Sequence, residues 1–505
     1  MRMHIVLRMT TELLTQPPEN APQENVIDDR HPVHQLITSA AGWPGRVWLL
    51  LVVLGGVLFL DGLDVSAAGV ALPSIGRDLG MAPSQLQWIV SGYVLGYGGL
   101  LLLGGRASDL LGRRRVLLVA VAVFGVASVI SALVSIDQLI IALRFLKGVA
   151  AAFTVPAGLS IITTTFAEGP ARNKALSIYT VCGASGFSLG LVFGGLLTEW
   201  SWRATLFFPG PIALALLLIG LRVIPRSERT RFSWAQFDAA GAASSTLAML
   251  LLVFAVVRAP QVGWVTGQTI GLLAGSAALL AIFIVVQRRH RHPLVRLGIL
   301  RSARLLHANM SGMVMFGGYI AFQFMVTLYL QDSLHWSPIE VALGFLPAGL
   351  IVVASATKMD RVLDRVSTKV LIVLGLLAFL AAYLWFLRVQ PGMNYADFLL
   401  PTIVLLGVGF ALCFPSINSQ ATAGIDDDEQ GLASGLVNTS IQVGGAIWLA
   451  VITAILGSSG TTVKPGELLG GMQAGLLVIV GLTAVGLLGT MGVLIADGVR
   501  ARRAG

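Results

Sequence analysis

Gly105-Arg106-Ala107-Ser108-Asp109-Leu110-Leu111-Gly112-Arg113-Arg114-Arg115 is the stretch that decides how this chain is read. It lies between two apolar segments, residues 86–106 and 116–135, each long enough to cross a hydrocarbon core of roughly 30 Å. The stretch is therefore a very short hairpin between two membrane spans. Three consecutive arginines put it on the cytoplasmic side, because Lys and Arg near span ends resist translocation. Gly105 and Gly112 permit close approach of another backbone and a tight turn. Asp109 between them carries a charge suited to a helix N-terminus.

The composition agrees with this reading. The 505 residues are 55% hydrophobic and 12% charged, with a mean hydropathy of +0.82, far below the charge content of about 25% found in soluble domains. A polytopic membrane protein is expected, with the lipid bilayer as its surroundings. The net charge of +9 is spread through loops rather than gathered on one domain, which excludes nucleic acid as a partner. Cys182 and Cys413 lie in separate apolar segments and read as small core hydrophobes, so a disulfide framework or a Cys-based metal site is unsupported. The histidines lack metal-ligand spacing, and no Walker loop or soluble domain is visible. ATP-driven transport, catalysis, cofactors and metals are all unsupported. Arginine in excess of lysine and abundant Ala and Gly point to a bacterial source.

Apolar runs fall at about 47–73, 86–106, 116–135, 138–166, 174–197, 203–224, 237–257, 267–287, 307–331, 339–359, 370–388, 398–421, 431–456 and 473–497. These are helices 1 to 14, and an even count puts both termini on one side. With the N-terminus cytoplasmic, 27 of the 34 Lys and Arg fall on inner loops, tails or helix ends, Arg77, Arg203, Arg258, Arg388 and Lys464 fall outside, and two more lie inside spans. One missed or invented helix would invert every later loop, so this bias supports both count and orientation. The inner run Asp426-Asp427-Asp428-Glu429 lacks a basic residue, but acids count little in the rule.

A weaker echo of the opening loop, Asp360-Arg361-Val362-Leu363-Asp364-Arg365-Val366-Ser367-Thr368-Lys369, joins helices 10 and 11, whereas the first joins helices 2 and 3. A shift of eight rather than six implies two six-helix halves with two helices inserted between them. The expected organisation is a mobile cytoplasmic tail, 1–44; a first half, 45–224; inserted helices and an inner linker, 225–305; a second half, 306–498; and a basic tail, 499–505. The first tail is polar, with Pro17, Pro18 and Pro22, and lacks the apolar core of a signal peptide.

Gly-x-x-x-Asp-x-x-Gly-Arg-Arg at Gly105, Asp109, Gly112, Arg113 and Arg114 resembles the signature loop of the major facilitator superfamily, with Leu110 where a basic residue is usual. The resemblance implies an all-α membrane fold around a central cavity, with this loop latching the two halves on the cytoplasmic side. Six, two and six helices look like the drug:proton antiporter branch. Leu63-Asp64-Val65-Ser66 through Val70-Ala71-Leu72-Pro73 is similar to that branch's first-helix motif, and Trp88, Tyr93 and Leu328-Tyr329-Leu330-Gln331 also fit it. Gly-Pro-Ala-Arg-Asn at 169–173 and Gly190-Leu191-Val192-Phe193-Gly194-Gly195 look most like the mycobacterial EfpA-type efflux pumps.

Four charges sit where hydrocarbon should be: Asp61 and Asp64 in helix 1, Arg144 and Lys147 in helix 4. Each is costly by roughly 2.5 to 3.5 kcal/mol near the bilayer centre, and each pair, spaced i, i+3, shares a helix face. Helix 1 runs outward and helix 4 inward. Asp64 then lies roughly 25 Å from the inner end of its span and Arg144 roughly 9 Å from the outer end of its own. The expectation is an antiparallel ladder, Asp64 with Arg144 and Asp61 with Lys147, facing a hydrated central cavity between the halves. The resemblance aligns Asp64 and Arg144 with the family's first-helix acid and fourth-helix arginine, while Asp61 and Lys147 are departures from apolar and glutamine. Permanent salt bridges are the plain alternative, yet buried pairs are often neutral for stability, which makes scaffolding a poor reason to keep two. Asp64 and Asp61 are expected to serve proton coupling, with Arg144 and Lys147 as partners.

Helix 5 carries Gly186, Gly190 and Gly194 at steps of four, with Gly195 adjacent, a pattern that lets helices approach closely. Gly194 is expected to pack against helix 8 or 10. Leu191 stands where antiporters of the family carry a proline, which puts a hinge there in doubt. Tyr93, Tyr319, Phe322, Gln323, Asn418, Asn438 and Gln442 are the candidates for a substrate cavity, joined by Phe316, Phe324, Phe410 and Phe414. Balanced charges on one wall and aromatic surface on the other suit amphiphilic solutes. The expected activity is proton-coupled efflux of hydrophobic or amphiphilic small molecules across the bacterial cytoplasmic membrane, by a monomer. An exporter of an endogenous lipid or metabolite, and a membrane sensor without transport, stay open as other readings.

Overall fold

The computed structural model describes residues 37, 42–167, 170–226, 238–290, 295, 297–363, 365–425, 430–458 and 466–504. Among them helix is the only extended secondary structure. The spans are α1 (Gly45–Leu79), α2 (Pro83–Leu111), α3 (Arg113–Leu133), α4 (Asp137–Thr165), α5 (Pro170–Trp200) and α6 (Trp202–Val223). They continue as α7 (Ala239–Val262), α8 (Gly267–Arg289), α9 (Ala303–Leu328), α10 (Pro338–Leu363), α11 (Thr368–Phe386), α12 (Tyr395–Thr422), α13 (Gln430–Ser458) and α14 (Met472–Ala504). Among the described residues thirteen are long and apolar enough to cross a membrane; α2, 29 residues long, is not one of these thirteen.

Local chemistry sets the helix ends. Gly112 links α2 to α3 with φ +93°, a conformation that a Cβ would strain, so the hairpin turns within one residue. Asp238 caps α7 by accepting from the Gly241 N–H at 2.7 Å, and Ser302 caps α9 by accepting from the Leu305 N–H at 3.3 Å. Within α6 the helix is interrupted at Phe208, where Pro209 and Pro211 bring no N–H to the ladder.

The packing repeats at an interval of eight helices. In the first half α1 lies on α5, α2 on α4, and α3 on α4 and α6. In the second, α9 lies on α13, α10 on α12, and α11 on α12 and α14. The halves meet where α2 packs on α13 and α5 on α10. α7 lies against both α2 and α13, and α8 packs on α7 with most of its surface outward.

One face of the bundle holds Gly45 and Ala504; the opposite, distal face is closed by contacts between the halves. A π-helical turn at Tyr329–Ser333 extends α9 there. Gln331 Nε2 donates to the Val70 carbonyl at 2.9 Å, and Arg77 meets Asp332 at 3.5 Å. Gln87 Nε2 donates to the Val257 carbonyl of α7 at 3.0 Å. Toward the terminal face, in contrast, α5 exposes Ser177, Thr180 and Val181, and α10 exposes Val353, Ala354 and Lys358.

Part of the segment read as a mobile tail is packed. Ile37 exchanges backbone hydrogen bonds of 3.0 Å with Thr165 and Ala167, and Trp43 lies between Phe166, Trp48 and the Lys174 ammonium. An apolar indole and a β-branched side chain find buried partners at the α4–α5 junction. Residues 1–36, the run Asp426–Glu429 and Asp364 lie outside the described residues.

Candidate functional site

α1 and α4 bring the four charges together, with side-chain exposures of 6% for Asp61, 2% for Asp64, 1% for Arg144 and 0% for Lys147. Asp64 bridges both cations: Oδ2 accepts from Arg144 Nη1 and Oδ1 from Lys147 Nζ. Arg144 also donates its Nε to the Ile89 carbonyl of α2 at 3.0 Å, and its Cζ lies 4.8 Å from the Tyr93 ring centroid. Lys147 Nζ lies 4.9 Å from the Phe124 ring centroid on α3. Both cations therefore have an aromatic face as well as an anion, which offsets part of the lost hydration.

The second rung of the ladder is corrected. Lys147 pairs with Asp64, and Asp61 instead accepts from Thr154 Oγ1 at 2.9 Å. The flexible four-carbon stem of lysine lets its ammonium reach a turn along α1 to the free oxygen of Asp64. Thr154 stands seven residues beyond Lys147 on the same face of α4, a spacing that marks two helical turns. Its hydroxyl is the site residue that the sequence reading missed.

The location is also corrected. Every polar and ring partner of these four residues belongs to α1–α4, so the cluster sits inside the first half rather than between the halves. Asp61 borders a small cavity of about 10 Å³ walled by Val57, Leu60, Val121, Phe124, Thr154 and Ala213, space for about one water. Tyr93, expected at the substrate cavity, is 1% exposed beneath Arg144 and belongs to the same cluster.

The glycines of α5 face α1. A Cβ at Gly190 would meet Leu63 Cα at 2.6 Å, one at Gly194 would meet Ala67 Cα at 2.6 Å, and one at Gly186 would meet Phe59 Cα at 2.8 Å. Gly194 thus packs on α1 rather than on helix 8 or 10; Gly195, rotated by one residue, is the position against α10, where a Cβ would meet the Pro338 carbonyl at 2.7 Å. Within the opening loop, Gly105 has Pro156 Cβ as its nearest such neighbour at 3.8 Å, an ordinary contact. The close approach belongs to Gly104, against the Ala152 carbonyl carbon at 2.8 Å. Arg114 donates to the Leu221 carbonyl at 2.6 Å, which satisfies a C-terminal carbonyl of α6 within the first half. The side chain of Asp109 lies outside the described residues, and Arg113 is half-buried.

The remaining candidates divide. Tyr319 of α9 meets Phe187 of α5 at 5.8 Å and Phe410 of α12 at 5.6 Å between ring centroids, joining the halves at mid-depth. Phe187 was missed, because the glycines beside it dominate the reading of α5. Gln323 faces Gly69 and lines, with Val65, Leu72, Val90, Ile320 and Phe324, a cavity of about 20 Å³ between α1, α2 and α9. Gln442 packs on Gly98 of α2, with its Cβ 3.1 Å from where a Gly98 Cβ would stand. Phe322 departs from expectation: it is 0% exposed and packs on Tyr383 and Phe386 of α11, inside the second half. Asn418 and Asn438 are half-buried and donate to carbonyls of their own helices, Phe414 at 2.8 Å and Ser434 at 3.0 Å. Among the described residues no group of His, Cys, Asp and Glu could hold a metal ion.

Comparison with known proteins agrees with this architecture. The chain is 36% identical over 427 residues to the puromycin resistance protein pur8 of Streptomyces alboniger, covering 83% of each chain. It is 34% identical to the cephamycin export protein CmcT of Amycolatopsis lactamdurans, covering 81% of this chain and 85% of that one. It is 32% identical to the MFS-type transporter EfpA of Mycobacterium tuberculosis, covering 82% of this chain and 78% of that one. Among solved structures, the POT family transporter PepTSo superposes with a TM-score of 0.66 at 14% identity, covering 91% of this chain and 99% of that one. The nucleoside transporter NupG superposes with a TM-score of 0.58 at 13% identity, covering 88% and 99%; these two likenesses concern the fold alone. The description of the Major Facilitator Superfamily matches residues 54–449, and with two six-helix halves around an inserted pair, the chain belongs to that family.

Proposed function

We propose that the chain is a proton-coupled efflux transporter of the bacterial cytoplasmic membrane, exporting hydrophobic or amphiphilic compounds by alternating access, with both termini cytoplasmic. The observation that carries the reading is Asp64, buried and shared between Arg144 and Lys147 on the helix that also meets the second half. Protonating Asp64 removes the charge that holds both cations, so the packing of α1 against α4 depends on proton occupancy. That is the requirement for coupling to a gradient. The contacts that close the distal face, together with the exposure of α5 and α10 toward the terminal face, support a cytoplasm-open conformation. The aromatic contact of Phe187, Tyr319 and Phe410 supplies an apolar surface at the half interface. The relatives named for puromycin resistance and cephamycin export support an outward direction and a drug-like cargo.

The test is efflux of a fluorescent cationic dye by inverted or energised vesicles, with and without a proton gradient. Gradient-dependent transport that is lost in Asp64→Asn is expected; full gradient-driven transport by that variant would remove Asp64 from the coupling role.

A further inference from the structure

We propose that Lys147 is a mobile counter-ion with two seats, leaving Asp64 when that carboxylate takes up a proton and pairing with Asp61 one helical turn away. The inference rests on the reading of Asp64 as the coupling acid and assigns roles to Lys147 and Asp61 within it.

Three observations carry it. First, Asp64 holds two cations while Asp61 accepts a hydrogen bond only from a neutral hydroxyl, Thr154. The two acids are three residues apart on α1, about 4.5 Å along its axis. Second, a small cavity adjoins the second seat: Asp61 lines it together with Phe124, whose ring is also 4.9 Å from the ammonium. Third, the two cations differ in freedom. Arg144 is fixed by the Ile89 carbonyl and the Tyr93 face, whereas Lys147 has Asp64 as its polar partner and a flexible stem.

The electrostatics then require the second seat. A proton on Asp64 leaves two buried cations beside a neutral acid, and a buried cation without an anion is costly. The groups facing Asp61 are Asp64 on α1, Tyr93 and Tyr97 on α2, Lys147 and Thr154 on α4, and Tyr179 on α5. α3 and α6 present Phe124 and Ala213 there. Asp61 is the remaining carboxylate in this set, and Lys147 is the cation able to reach it. The proton stays on Asp64 throughout; what moves is the ammonium.

A high-resolution structure of the full chain carrying Asp64→Asn, which imitates the protonated acid, decides the point. Lys147 Nζ within hydrogen-bonding distance of Asp61 is expected, and an ammonium still beside position 64 overturns the proposal. A second measurement uses gradient-driven dye efflux in Asp61→Asn, Lys147→Gln and the double variant. Asp61→Asn alone should lower transport about tenfold, the effect of about 1.4 kcal/mol, and adding Lys147→Gln should recover most of that loss, since no ammonium is then left without a seat. Losses that simply multiply overturn the proposal. The position of Lys147 is read without transport, so it stands or falls apart from the coupling assigned to Asp64, which the vesicle measurement on Asp64→Asn decides.

Discussion

The guanidinium of Arg144 lies 4.8 Å from the centroid of the Tyr93 ring, while its Nε donates to the backbone of the same helix at Ile89. α2 thus presents a π-face and a carbonyl to one planar cation, and α1 presents a carboxylate to its Nη1. An ammonium cannot serve all three, because it lacks the planar fork.

Arg144→Lys is therefore expected to behave as a loss rather than a conservative change. Removing one partner of a buried ion pair costs about 3–5 kcal/mol, and a lysine here recovers only part of that. Dye efflux should fall by more than tenfold, and the melting temperature in detergent should drop, while Tyr93→Phe, which keeps the ring, should stay near the parent in both.

On α5, Gly190→Ala should destabilise the fold, since the new Cβ would meet the Leu63 Cα and carbonyl at 2.6 Å. Overpacking of this kind costs about 1–3 kcal/mol. Thermal unfolding in detergent measures it. The same change at Gly457, where nothing lies within 4 Å, should be silent.

Gln331→Leu removes the 2.9 Å bond from the π-helical turn to the Val70 carbonyl. The loss of one neutral hydrogen bond, about 1 kcal/mol, should raise the population open at the distal face several-fold. Spin labels placed on the distal ends of α1 and α9 should report a longer distance in this variant.

Gly112→Ala places a Cβ on a residue with φ +93°. The strain should lower stability by about 1 kcal/mol or more, and limited proteolysis between α2 and α3 should accelerate.

The fold was legible because its signals are coarse. A loop of fixed residue types between two apolar runs, and the bias of basic residues among loops, depend on length and charge rather than on side-chain direction. The charged cluster was legible for a similar reason: four ionisable groups in apolar helices must meet one another. Which group meets which was not legible, since it depends on stem length and on the rotation of each helix about its axis. Lys147 reaches past Asp61 to Asp64, and Thr154 takes the acid left over. The same ignorance of rotation put Tyr93 and Phe322 in a cavity, when each is turned into its own half. Gly194 was assigned the neighbour that belongs to Gly195, a difference of 100° around α5.

Backbone contact along the glycines of α5 has a mechanical result. With Gly186, Gly190 and Gly194 seated on α1, little compliant side-chain packing separates the two helices, and a shift of one is carried to the other as by a stiff lever. The far edge of that lever is Gly195, bearing on α10 of the other half. A displacement of the acid-bearing helix is thereby geared to the seam between the two halves.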